Sequence, residues 1–295
     1  MKKVKGIVCV AALAVAVGCL NGCSFSIGMK SSYKYSDSDK YAVGDVEITD
    51  KIDKLDIDYL SGDVKIVKAD TDKITIEETA RKKLDDKRKV HTWIEGSTLH
   101  VKFCESGKGL DLNNLDKKLE ITIPEDLVFD DVVMDMASGD INANIDADNY
   151  DIESASGSVF LYQTGNSSEM KIETASGDVE VDLESADVFS AHTASGEITV
   201  NAKSIRDFKA ETASGDHEYH LDVVPESADI SSASGYVHLY FPEKADIKAD
   251  FDTASGDIFY ELPFTKNGDK FVCGEGTNTL KVETASGDIR INQNN

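Results

Sequence analysis

The chain has 295 residues, 40% hydrophobic and 7% aromatic, and its 55 acidic against 31 basic side chains give a net charge of −24. That length accommodates one or two domains with a sizeable core. The acidic excess excludes nucleic acid and anionic lipid headgroups as natural partners of the body, since no broad basic surface offsets the like-charge repulsion, whereas cationic partners are attracted.

At the N-terminus, Lys2, Lys3 and Lys5 precede an apolar run from Ile7 to Leu20. This run is too short for a typical bilayer-spanning helix and has the build of a secretory signal. It ends in Leu20-Asn21-Gly22-Cys23, which resembles a bacterial lipoprotein box. The resemblance implies a signal peptide over residues 1–22 and lipidation of Cys23, which anchors the chain to a bacterial membrane on its extracytoplasmic side. Removing the three lysines takes the charge from −24 to −27. Residues 23–44, with the lipidated Cys23 followed by a segment rich in Ser, Asp, Lys and Tyr, are expected as a flexible tether.

Strand patterning begins after residue 45. Leu55, Ile57 and Tyr59 alternate into Leu60-Ser61-Gly62-Asp63, followed by Val64 and Ile66. Ile74 and Ile76, the segment Trp93 to Phe103, and Leu119, Ile121 and Ile123 read as further strands. Two polar excursions separate them, from Arg81 to Lys89 and from Ser106 to Lys118. Residues 45–131 are therefore expected as irregular first coils and residues 132–295 as regular ones, within one domain.

Ala-Ser-Gly then recurs, with its serines at Ser138, Ser156, Ser176, Ser195, Ser214, Ser234, Ser255 and Ser286. The spacings are 18, 20, 19, 19, 20, 21 and 31 residues, the period of a stacked array. Strand alternation runs up to each serine, as in Ile172 and Thr174 or Ala210 and Thr212, and apolar residues alternate after the glycines, as in Val179, Val181 and Leu183. The apolar set changes parity across the glycine. A flat strand with that slip would send half its side chains into water, so the chain must bend at Ser-Gly, where glycine tolerates the positive φ such a corner demands. A unit of about 20 residues cannot bury its own apolar face and must stack on its neighbours. This predicts an all-β parallel solenoid, with an antiparallel β-sandwich as the alternative. Antiparallel hairpins give no reason for the same corner in every repeat.

Once Cys9 and Cys19 leave with the signal and Cys23 takes lipid, Cys104 and Cys273 remain, several coils apart and beyond the ~7 Å Cα limit for a disulfide. No cofactor is expected. Acidic residues follow most repeat glycines, and stacking draws them together, so Asp178, Glu197 and Asp216 are candidate calcium ligands. The competing reading is that aspartate is an ordinary turn residue. His217 and His220 lie three apart on a strand and face opposite ways; His217 takes the place of the usual Ile or Val. The repeated serines have no histidine in register, and no acid pair stands out from the repeats, so no catalytic residue is expected. Tyr236, His238 and Tyr240, beside Phe259 of the next coil, form a candidate binding face, with Phe160 several coils below. Ordinary cross-strand packing is its competing reading.

The Thr-Ala-Ser-Gly-Asp-Ile coils, the Leu-Ser-Gly-Asp-Val-Lys-Ile segment at residues 60–66 and Leu-Glu-Ile-Thr-Ile-Pro at 119–124 resemble the DUF4097 family of β-strand-repeat proteins, over residues 45 to 293. The family carries an adhesin label, and the resemblance implies a right-handed β-helix-like solenoid displayed on a bacterial envelope. Some relatives are associated with envelope stress and cationic antimicrobial peptides. The resulting expectation is a lipid-anchored, non-enzymatic, adhesin-like binding or structural module for envelope glycans or a host surface. The alternatives are acidic capture of cationic peptides and a carbohydrate-active β-helix enzyme.

Overall fold

Alternating strands on either side of each corner leave backbone groups that only a neighbouring coil can pair. The computed structural model, which describes residues 33–107 and 115–294, has the resulting all-β parallel solenoid fold. The expected signal peptide and Cys23 lie outside the described residues. The chain divides into two compact units, one ending at Ile172 and the other beginning at Glu173.

In the first unit, β1 (Ala42–Val43) and β2 (Val46–Ile48) precede a coil made of β3 (Lys54–Ser61) and β4 (Asp63–Ala69). The irregular stretch supplies β5 (Ile74–Thr79), β6 (His91–Glu95), β7 (Thr98–Lys102) and β8 (Lys118–Pro124). Regular coils resume with β9 (Val128–Ser138), β10 (Ile141–Asn144), β11 (Asp146–Ser154) and β12 (Val159–Thr174), the last two residues of β12 falling in the second unit. Chain order is not stacking order. Strand β3 lies between β7 and β9, and β4 between β8 and β10, all parallel. Antiparallel β6 and β5 cover the outer edges of β7 and β8, and in turn hold β1 and β2. This accounts for the irregular opening: a stack of parallel coils ends in unpaired backbone, which these short strands close.

The expected tether is folded from Tyr33 onward. Tyr33 is buried, its hydroxyl donating to the Asp58 carbonyl at 3.0 Å, and the Tyr35 hydroxyl donates to the Cys104 carbonyl at 3.0 Å. Ring contacts run on from Tyr35 to Tyr41 at 4.8 Å and from Tyr41 to Trp93 at 5.5 Å. The ordered body thus begins ahead of residue 45, because Tyr33 buries its ring, the Tyr33 and Tyr35 hydroxyls find carbonyls, and Tyr35 and Tyr41 pack ring on ring.

One buried ion pair fastens the polar excursions. Lys117 Nζ lies 2.7 Å from Glu78, both side chains being almost fully buried, and donates to the carbonyls of Phe103 at 2.6 Å and Arg88 at 2.8 Å. The Phe103 ring also lies against it, 3.9 Å from Nζ to centroid. Glu78 also accepts from the Tyr59 hydroxyl at 2.8 Å and the Val90 amide at 3.0 Å.

The second unit opens with β13 (Val179–Ser195) and β14 (Ile198–Ser214), parallel along their length, each bending to serve as two sides of a coil. Then come β15 (His217–Leu221), β16 (Ser227–Ser234), β17 (Val237–Phe241), β18 (Ile247–Ser255) and β19 (Ile258–Tyr260). The hairpin β20 (Thr265–Asn267) and β21 (Lys270–Cys273) follows, and β22 (Asn278–Ser286) with β23 (Ile289–Gln293) ends the chain. Here too a coil is inserted: β22 lies between β16 and β18, and β23 between β17 and β19. Corner hydrogen bonds record the order, Gly215 donating to Ser234 at 3.0 Å, Gly235 to Ser286 at 3.0 Å and Gly287 to Ser255 at 3.1 Å.

Glycine is required at the corners for two reasons. Gly139 has φ +113°, the positive φ expected from the sequence. At Gly215 the reason is close approach: a Cβ there would stand 1.8 Å from the Gly196 carbonyl oxygen of the adjacent coil. The core is the inward column of each strand, including Phe189 stacked on Phe208 at 5.3 Å and Phe208 against Tyr219 at 4.8 Å. Cys104 and Cys273 are buried and form no disulfide. Among the described residues no helix is long and apolar enough to cross a membrane.

Candidate binding face

Successive residues of a strand alternate between core and surface, so the register across β15, β17, β23 and β19 generates three outward rows. The first, just after the corners, is Asp216, Tyr236, Asp288 and Asp257; the second is Glu218, His238, Arg290 and Phe259. The third contains His220, Tyr240 and Asn292. Tyr236 is 49% and Phe259 48% exposed, whereas His238 and Tyr240 are partly covered. Tyr240 stacks flat on His220, with centroids 4.1 Å apart and planes 8° apart. Phe259 is not beside His238, as the chain order implied: the inserted β23 puts Arg290 between them, its guanidinium 5.2 Å from the Phe259 ring centre. Phe160 belongs to the first unit, opposite Asn142.

The two histidines part as expected. His217 is buried in line with Ile198 and Val237, its Nδ1 hydrogen-bonded to the Tyr219 hydroxyl and its Nε2 lacking a partner. Burial holds its pKa down at about 4. His220 faces outward, 2.9 Å from Glu218.

Of the candidate calcium ligands, Glu197 and Asp216 line a corner groove of about 580 Å³ together with Ser195, Ser214, Ser234 and Tyr236, and Asp178 does not. Two of the three carboxylates accept from the backbone. Asp178 accepts the Glu197 amide at 2.9 Å, and Asp216 the Tyr236 amide at 2.8 Å. Asp140 accepts from Ser158 at 2.9 Å and Asp288 from Asp257 at 3.0 Å, so the acid after each of these glycines caps the next coil. Burial and then the charges of Asp216, Glu218 and Asp178 hold the Glu197 carboxyl above the ordinary glutamate range. Among the described residues no group of three or more His, Cys, Asp or Glu side chains is placed to hold a metal ion.

An acidic row in the first unit escapes sequence reasoning. Register aligns Lys102, Asp58, Asp135 and Glu153 across β7, β3, β9 and β11, with Asp56 and His100 one row away at 2.5 Å. Burial, followed by Glu153, Asp58 and Asp56, pushes the Asp135 carboxyl up to about 6. Alternating acids such as Asp56 and Asp58 signal an outward face, but only the non-sequential pairing of β3 with β9 assembles the row.

Repeated parallel coils, with aromatics on an outward sheet face, define a protein of the β-solenoid class. The family model described as Toastrack DUF4097 matches residues 52–292, and the chain belongs to that family. No curated protein is significantly similar to it. Among solved structures it is similar to a "putative adhesin" from Parabacteroides distasonis, at 14% identity and TM-score 0.49, covering 84% of this chain and 97% of that one. A "putative lipid binding protein" from the same species matches at 17% identity and TM-score 0.47, over 87% and 97% of the two chains. A "putative adhesin" from Bacteroides fragilis matches at 16% identity and TM-score 0.41, over 85% and 97%.

Proposed function

We propose that this protein is a lipid-anchored, extracytoplasmic display module that binds glycans of an envelope or host surface through the outer face bearing Tyr236, His238, Tyr240 and Phe259. The observation that carries the reading is the exposure of Tyr236 and Phe259 on a sheet whose inward positions are already filled by Val237, Leu239 and Ile289. Exposed aromatic faces stack on sugar rings, and a rigid sheet holds them at fixed spacing without ordering cost on binding. The module is non-enzymatic in this reading, since its groups act by contact along a face rather than by converging on one bond. Anchoring through Cys23 keeps the face at the cell boundary.

Glycan and peptidoglycan panels probed with the secreted chain, with the same wells assayed for cleavage products, test the reading. Saturable binding without cleavage, weakened at least tenfold in Tyr236→Ala with Phe259→Ala, is the expected result. Cleavage, or binding indifferent to both substitutions, overturns it. For the anchor, metabolic labelling with an alkyne fatty acid should mark the wild type and not Cys23→Ala.

A second reading, acidic capture of cationic peptides, is favoured by the mutual repulsion around Glu197. It predicts binding that collapses between low and physiological salt, whereas ring stacking on sugars persists.

A further inference from the structure

We propose that the open edge of β19 accepts an extended peptide segment, in which apolar residues alternate with lysine or arginine, as one more strand of the coil. Glycan binding is not required for it. Strands that end a coil stack need covers, and in the first unit β7 and β8 both have them, in β6 and β5. In the second unit β21 covers β18 at Ile247, Lys248 and Ala249, but among the described residues β19 pairs with β23 alone.

The consequence is visible in the core. Ile289, Val237 and Ile198 are fully buried at the inward position that Ile258 occupies on β19, yet Ile258 is partly exposed. At the next inward position Ile291, Leu239 and Tyr219 are fully buried, while Tyr260 is 44% exposed, touched on one side by the rings of Phe264 at 5.5 Å and Phe271 at 5.8 Å. The backbone is equally unfinished. The Asp257 carbonyl accepts from Ile289 at 3.0 Å and the Glu261 amide donates to Ile291 at 2.9 Å, so the odd-numbered residues face β23. The N–H and C=O groups of Ile258 and Tyr260 therefore point away from the sheet.

This edge dictates its occupant. Alternate side chains of an added strand would lie over Ile258 and Tyr260 and must be apolar. The others would lie beside Asp257, Phe259 and Glu261, where a cation meets two carboxylates and a ring face. A second copy of the chain is disfavoured: two β19 strands paired antiparallel about Phe259 would set Asp257 against the partner's Glu261.

The test uses the full secreted chain and a fluorescent, end-blocked peptide of alternating valine and lysine, read by anisotropy. Two versions carry N-methyl groups on alternate residues, one set on the apolar and one on the basic positions. The expected result is saturable binding, at least tenfold tighter than that of a valine–glutamate peptide or of a block peptide with the same composition. N-methylation should abolish binding in one version only, because only alternate amides face β19. Asp257→Asn with Glu261→Gln should weaken binding at least fivefold without changing Tm. Equal binding of the block peptide, or of both methylated versions, would reduce the effect to charge and overturn the proposal, as would absence of binding. Reversible dimerisation of the chain that the peptide does not displace would assign the edge to a second copy and overturn the proposal equally.

Discussion

Ser234 pairs in register with Ser286, although Ser255 is the next repeat serine along the chain. Ser255 takes the far side of Ser286. The C-terminal coil is thus clamped between two others, and the final strands complete a stack that the preceding coils leave with a gap.

Close coil approach at the corners makes their glycines irreplaceable. Gly215→Ala places a methyl group 1.8 Å from the Gly196 oxygen, and should cost at least about 3 kcal/mol. Gly268, at the tip of the β20–β21 hairpin, has nothing within 4 Å of an added Cβ and a φ of +64°. Gly268→Ala should cost only about 1 kcal/mol. Urea unfolding of both variants checks the contrast.

The Lys117–Glu78 pair is fully desolvated, so removing one charge strands the other. Lys117→Met should destabilise by about 3–5 kcal/mol. Pairing it with Glu78→Gln should restore part of that loss, because the amide oxygen still accepts from Tyr59 or Val90. A thermal double-mutant cycle measures the coupling, and additive losses would deny it.

His217 couples stability to acid. Its folded pKa of about 4 lies below the ordinary histidine value of 6.5, so the neutral form is the one the core tolerates. Stability is complete above pH 6.5 and drains away as pH falls toward 4, by on the order of 3 kcal/mol. Asp135, raised to about 6, acts oppositely, gaining stability as pH falls through that value. Comparing His217→Val with wild type by denaturation from pH 7.5 to 4 isolates the histidine: the variant should lose less stability on acidification.

Asp216 is a peptide-amide acceptor in this fold. Asp216→Ala should therefore cost about 1 kcal/mol, and by the same amount in calcium and in EDTA. Thermal melts of wild type should likewise be unchanged by either addition. A calcium-dependent rise in Tm that disappears in the variant would restore the metal reading of Asp178, Glu197 and Asp216.

Much of the fold was legible because its rules are local. The spacing of Ser138 to Ser286 sets the coil length, the parity slip at each Ser-Gly demands a bend, and alternation names the inward residues, including His217 in place of an aliphatic. Less of the site was legible. Tyr236 and Phe259 are exposed as the alternation implied, but their neighbours depend on which coils touch.

That is the division between sequence and structure here. The sequence alone determined the repeat, the corner and the face each side chain takes, since these follow from backbone geometry within one coil. Tertiary structure decided the stacking order, because coils of equal length and matching register are interchangeable templates for one another. The longer gap between Ser255 and Ser286, filled by the β20–β21 hairpin, gives the last coil the reach to enter between its predecessors. Arg290 beside Phe259, the acidic row around Asp135 and the uncovered edge of β19 all follow from that order.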